Sequence, residues 1–163
     1  MQIGSKIAPC LWFDDQAAAA AAFYTSIFKD SRIVETNHFT EAGHEIHGRP
    51  PGSVMTVAFE IAGQLFTALN GGPMFKFNEA ISLQVNCDSQ EEIDYYWAKL
   101  TEGGSESQCG WLKDKFGVSW QINPSALSDL FSDADPARAS RAMQAMFKMQ
   151  KLDIAEIERA AAG

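Results

Sequence analysis

The sequence predicts an α+β fold. Three observations carry that expectation. A short apolar strand ending in Asp runs into a helix twice, once near the start and once mid-chain. A pair of strands closes each half. The last forty residues read as helix alone. Across 163 residues, 46% hydrophobic content supplies one packed domain or two small units, so disorder is excluded.

The elements follow in order. "KIAPCLWF" (Lys6–Phe13) predicts a strand, with Pro9 suited to a strand beginning. Asp14 and Asp15 are positioned to cap the helix that follows, "QAAAAAAFYTSIF", whose alanines favour helix and whose Phe23, Ile27 and Phe28 thicken one face. "SRIVETNHF" predicts a second strand. Residues 40–53, with "GHEIHGRPPG", read as a loop. "VMTVAFEIA" and "QLFTALN" predict a hairpin turning at Ala62-Gly63.

The pattern then restarts. "AISLQVNCD" predicts a strand. "SQEEIDYYWAKLTEGG" predicts a helix with Ser89 and Glu92 at capping-box spacing, an apolar face of Ile93, Tyr96, Trp97 and Leu100, and a Gly pair to stop it. "QCGWLKD" and "GVSWQIN" predict strands joined near Lys115–Gly117. From Pro124 the tail predicts a short helix, a longer one starting at Asp135-Pro136, and a last one capped by Asp153. The Met-rich stripe of the longer helix (Ala142, Met143, Met146, Phe147, Met149) reads as packing, in the core or between copies.

Charge and cysteine narrow the partners. A net charge of −8 would repel nucleic acid and anionic membrane surfaces, so neither is expected as a partner. Cys10, Cys87 and Cys109 lack metal-ligand spacing and read as reduced thiols of a cytoplasmic protein. "MQIGSKIAP" has no apolar run typical of a secretion leader, and no run reaches membrane-spanning length.

The halves can be laid over one another. "APCLWFD" sets over "SLQVNCD", and "LFTALN" over "VSWQIN", the latter two ending in Asn70 and Asn123. Between the halves lies "LNGGPMFKFNE" (69–79). No G-K-[ST] follows its Gly pair, and a strand comes next, so it reads as a linker rather than a phosphate loop.

On these residues the chain resembles the vicinal-oxygen-chelate (glyoxalase/bleomycin-resistance/dioxygenase) superfamily. "GGPMFKFNEAISLQVNCDSQEEIDYYWAKL" and "CGWLKDKFGVSWQINP" resemble its PhnB-like group, also labelled 3-demethylubiquinone-9 3-methyltransferase-like; D-K-F-G-V-S-W-Q (114–121) is the most specific run. The resemblance implies paired βαβββ modules, a curved mixed sheet around a cavity, and a homodimer. It divides a single domain into module one (6–70), linker (71–79), module two (80–123) and C-terminal helices (124–163).

Strand parity suggests what lines that cavity. Ser82, Gln84 and Asn86 share one face of their strand; Ser119, Gln121 and Asn123 share one face of theirs. A polar face needs water, partners or a ligand. The candidate ligand-binding residues are Cys10, Trp12, Asn70, Phe75, Phe77, Ser82, Gln84, Trp111, Lys113 and Gln121, with the two Phe at the cavity mouth and Lys113 placed to meet an anionic ligand.

Metal-dependent members of the superfamily put His, Gln or Glu on the first and last strand of each module. Here those positions hold Ala8 or Cys10, Ala68 or Asn70, Ser82 or Gln84, and Gln121. None is imidazole or carboxylate, so no tightly bound metal and no cofactor are expected. His38, His44 and His47 lie in or beside the first long loop, without the helical H-E-x-x-H context of a zinc site. Cys10 reads as a small buried residue or a reactive thiol. Glu60 faces either the cavity or solvent. No nucleophile motif and no Gly-rich adenosylmethionine turn is present, which sets the methyltransferase label aside.

The sequence therefore predicts a small-molecule-binding glyoxalase-like protein. A metal-dependent isomerase, lyase or dioxygenase on the same fold and a non-catalytic drug-sequestering protein are the alternatives.

Overall fold

The computed structural model describes residues 5–163. The N-terminal stretch judged to lack leader character begins in residues 1–4, outside the described residues. The chain forms two compact units, with the division between Lys76 and Phe77. That division falls inside the expected linker.

In the first unit, β1 (Cys10–Phe13), α1 (Ala17–Ile27), β2 (Arg32–His38), a one-turn α2 (His44–His47), β3 (Val54–Ile61) and β4 (Gln64–Asn70) follow in order. The sheet order is β1-β4-β3-β2, with β1 parallel to β4 and the other pairs antiparallel. Helix α1 packs on β2, β3 and β4. Its buried Ala17, Ala20 and Ala21 let it approach closely, and Tyr24 stacks on Phe59, ring centroids 6.0 Å apart. The β3–β4 turn has Ala62 at φ 47° and Gly63 at φ 81°, between the paired Ile61 and Gln64. Two positive φ values in a two-residue loop match the twist of a hairpin, at some steric cost at Ala62.

Three expectations for this unit need correction. The first strand starts at Cys10, not Lys6; Pro9 offers no N–H to the ladder, and its carbonyl accepts from Thr67 N at its beginning. Asp14 and Asp15 do not cap α1. Gln16 occupies the cap without a side-chain bond, Asn70 Oδ1 accepts from Ala17 N at 2.8 Å, and the Asp14 carboxylate pairs with Arg49. The loop at 40–53 contains α2, bounded by Gly43 and Gly48 in left-handed conformations.

In the second unit, β5 (Ser82–Cys87), α3 (Gln90–Thr101), β6 (Ser105–Glu106), β7 (Trp111–Lys113) and β8 (Ser119–Pro124) repeat the scheme in the order β5-β8-β7-β6. The modules share topology strand for strand, but they make two four-stranded sheets rather than one. Strand β6, two residues long, had no clear signal in the sequence. Helix α3 is capped by Ser89 Oγ, which accepts from Glu92 N; the Glu92 carboxylate accepts from Asp88 N, one residue before the cap. Ile93, Trp97 and Leu100 are buried on its sheet side.

The same unit holds α4 (Leu127–Phe131), α5 (Pro136–Met146) and α6 (Ile154–Ala162). Asp135 and Asp153 cap the last two as expected. Ala142, Met146, Leu152, Ile157 and Ala161 form their core, with Met149 against it, while Met143 and Phe147 stay exposed. The tail is tied down by Cys109 N to Met149 O (2.8 Å) and Gly110 N to Gln150 O (2.7 Å). The Gln90 amide donates to Leu152 O at 3.1 Å and accepts from Ile154 N at 2.9 Å. Among the described residues, no helix is long and apolar enough to cross a membrane.

Candidate functional site

The D-K-F-G-V-S-W-Q run builds the β7–β8 turn around one carboxylate. Asp114 is 3% exposed. Its Oδ1 accepts from Phe116 N at 2.8 Å and Val118 N at 3.1 Å, and its Oδ2 accepts from Trp120 Nε1 at 2.8 Å. Gly117, at φ 90°, closes the turn. A buried carboxylate with three donors fixes the register of both strands. The register places Trp111 opposite Gln121 and Lys113 opposite Ser119.

Strand β8 also pairs with β5, setting Ser82 beside Ser119, Gln84 beside Gln121 and Asn86 beside Asn123. One sheet face therefore carries Ser82, Gln84, Asn86, Trp111, Lys113, Ser119, Gln121 and Asn123. The other carries the buried Cys87, Leu112, Trp120 and Ile122 on the side packed by α3. On the polar face, Gln121 donates to Ser82 Oγ at 2.8 Å, and Gln84 donates to Gln121 Oε1 at 3.5 Å. Lys113 pairs with Glu79, and that bond holds the Glu79 carboxyl below its ordinary pKa. Five of the sequence candidates (Ser82, Gln84, Trp111, Lys113 and Gln121) thus share one face. Phe77 stands beside the β7–β8 turn, its Cβ 3.9 Å from where a side chain on Gly117 would begin.

In the first unit the face equivalent to this one carries Cys10, Trp12, Thr67 and Leu69. Trp12 Nε1 donates to Gly72 O at 2.9 Å, and Phe75 packs edge-on against the indole at 4.9 Å. Gly71 lies so close that a Cβ there would sit 2.2 Å from the indole ring. The Gly pair extends the β1 ladder, Gly71 N donating to Phe13 O and Gly72 N to Asp14 O. "LNGGP" is therefore a linker that grips Trp12, and the exposed Phe75 finishes the grip.

Asn70 belongs to the opposite face. It pairs with Phe13, is 6% exposed, caps α1 through Oδ1 and donates from Nδ2 to Val54 O. Its placement among cavity residues came from laying Asn70 over Asn123. The pairing puts Cys10 beside Thr67 and Gln84 beside Gln121, so Thr67 is the counterpart of Gln121 and the overlay was one residue out. A slip of one turns every side chain to the other face. Cys10 is exposed rather than buried, and partial desolvation raises its pKa. Glu60 pairs with Arg32 at 2.8 Å.

The equivalent positions on first and last strands are therefore Cys10, Thr67, Gln84 and Gln121. Neither the thiol and hydroxyl of the first unit nor the two amides of the second supply the carboxylate or imidazole that holds a divalent ion tightly. Among the described residues, no three His, Cys, Asp or Glu side chains form a metal-holding group. His44 and His47 sit on α2. His47 Nδ1 accepts from Arg49 N at 3.0 Å and Nε2 faces Ala42 O at 3.2 Å, an arrangement that a neutral ring with its proton on Nε2 satisfies on both sides.

A family model described as 3-demethylubiquinone-9 3-methyltransferase matches residues 5–123. A Bacillus cereus structure, described as a 3-demethylubiquinone-9 3-methyltransferase, PhnB protein, is 35% identical with a TM-score of 0.65, over 74% of this chain and 99% of that one. A Pseudomonas aeruginosa protein of 20% identity has a TM-score of 0.59, over 74% of this chain and 98% of its own. FosX from Listeria monocytogenes, a fosfomycin resistance protein solved with Mn(II) and sulfate, is 16% identical with a TM-score of 0.52, over 80% and 98%. The last two share the fold alone. No curated protein matches this chain. The matched family region ends where the C-terminal helices begin. With the repeated β-α-β-β-β topology and the match over residues 5–123, the chain belongs to the 3-demethylubiquinone-9 3-methyltransferase (PhnB-like) family.

Proposed function

We propose that the protein is a glyoxalase-like binder of a small organic molecule, held on the polar face of the second sheet without a tightly bound divalent metal. The observation that carries this reading is the ladder Gln84–Gln121–Ser82, which shares one sheet face with Trp111 and Lys113. Amides and a hydroxyl orient a polar guest, the indole offers an aromatic surface, and the ammonium offers charge. On the first module, Cys10 and Trp12, with Phe75 against the indole, stand on the equivalent face; Phe77 flanks the turn of the second. In this reading, module one (6–70), the linker (71–79), module two (80–123) and the C-terminal helices (124–163) act as one functional domain in a cytoplasmic homodimer.

Methyl transfer is not part of the proposal. Each sheet has a single parallel pair, β1–β4 or β5–β8, and the turn after β1 is Asp14-Asp15-Gln16 rather than a glycine-rich cradle. The test is native mass spectrometry with elemental analysis of protein purified without chelator, joined to a thermal-shift screen of small carbonyl compounds and thiol adducts. The expected result is a small-molecule adduct or stabiliser whose effect is lost in Gln121→Ala, with metal well below one per chain. Near-stoichiometric zinc, nickel or iron, or micromolar adenosylmethionine binding by calorimetry, would overturn the reading.

A further inference from the structure

The second unit contains a pocket of about 170 Å³ whose wall includes Glu79, Glu106, Trp111, Lys113 and Ser119. Ser119 is the odd member. It is 2% exposed, and its Oγ has no hydrogen-bond partner among the described residues. A buried hydroxyl left in that condition costs about 1–3 kcal/mol, so it calls for an explanation.

The neighbours of Ser119 are donors. Lys113 is its cross-strand partner, which places the two side chains side by side on one face. Trp111 shares that face, and its indole N–H has no acceptor among the described residues. An indole N–H and an ammonium can only donate, and a hydroxyl can donate. Three donors around one small pocket match an acceptor, and the ammonium asks that the acceptor be negative. One carboxylate already sits on Lys113: Glu79, from the linker segment just before β5. Glu106 also borders the pocket, but it pairs with Leu112, and its carboxylate accepts from Trp97 Nε1 at 2.8 Å on the α3 side of the sheet.

Resting on the reading above, we propose that this pocket binds the carboxylate of a small organic acid. Lys113 and Ser119 bind the acid group, Trp111 contacts the body, and Glu79 is a tethered competitor that the ligand's carboxylate displaces. The linker thereby sets the affinity of the pocket through a side chain that never leaves the molecule.

Sodium benzoate is the probe and benzamide, its neutral isostere, the control, titrated into the full chain with calorimetry and the Trp111 indole N–H resonance as readouts. Benzoate is expected to shift that resonance and benzamide to leave it in place. Glu79→Gln, at an exposed position, should tighten benzoate about two- to fivefold, the scale on which an exposed ion pair competes. Lys113→Met should weaken it more than about tenfold, because a charge-assisted bond is lost. Ser119→Ala should weaken it less. Equal response to benzoate and benzamide, blind to Glu79→Gln, would overturn the acid pocket while leaving the polar sheet as a ligand face. Silence of both probes on wild type and Glu79→Gln would also overturn it, independently of the outcome of the small-molecule screen.

Discussion

Replacing Asp114 with Asn tests whether one carboxylate organises the β7–β8 turn. The change is nearly isosteric. The remaining oxygen can still face the N–H groups of Phe116 and Val118, but the new NH₂ group then meets Trp120 Nε1–H, donor against donor. A charge-assisted bond is lost and a buried donor is left unsatisfied, which together cost about 2–4 kcal/mol. For a chain of this size, each kcal/mol moves Tm by roughly 2–4 °C, so a fall of about 4–16 °C is expected. Circular dichroism melts would measure it. A second substitution sharpens the test. Trp120→Phe should destabilise the wild type, but much less so in the Asn background, where it removes the opposing donor. The cycle should show about 1–2 kcal/mol of coupling. Additivity within about 0.5 kcal/mol, or a Tm fall under about 2 °C for Asp114→Asn alone, would refute the account.

Other outcomes follow from the same geometry. Gly71→Ala places a Cβ against an indole held by its bond to Gly72, so the urea midpoint should fall by the equivalent of about 1–3 kcal/mol, with a change in Trp12 emission. Gln90→Ala removes both amide bonds to the tail; limited proteolysis should then cut between α5 and α6 faster, from a loss of about 1–3 kcal/mol in docking. Side-chain bonds from Lys151 and Gln90 hold Asp94 below its ordinary pKa, so its contribution to docking is present above about pH 3.9 and disappears as the pH falls through its lower folded value. Tail cleavage in acid should show it. Burial, with the Glu92 and Asp88 charges, pushes the Cys87 thiol up to about 12. A disulfide reagent at neutral pH should therefore label the exposed Cys10 and spare Cys87. Unfolding frees Cys87 to ionise, so stability should decline as the pH rises from about 8.5 toward that value.

The repeat was legible because topology follows element order, and the order is written in apolar runs, caps and Gly pairs. Parity within a strand was legible for the same reason: Trp120 and Ile122 fell on the helix side, Gln121 and Asn123 on the other. What sequence could not supply was register between strands. Asn70 and Asn123 look equivalent because both end a strand, yet Asn70 answers to the N-terminus of α1, a partner more than fifty residues away in the chain. Asp14 and Asp15 look like caps, but Arg49 claims the first, and no local pattern announces a long-range ion pair. Ser119 was visible as one polar residue among several. Its burial, and therefore its unsatisfied hydroxyl, depends on residues brought beside it by β7.

The tryptophans give the molecule a property of another kind. Trp12, Trp97 and Trp120 each direct the ring N–H at a fixed internal acceptor: a carbonyl, an exposed carboxylate and a buried one. Trp111 stands apart on the polar face with its N–H unengaged among the described residues. In optical terms, the chain carries three internal references and one free channel. The difference spectrum between wild type and Trp111→Phe isolates the emission of the single indole on the face where a ligand is proposed to bind, with no label added.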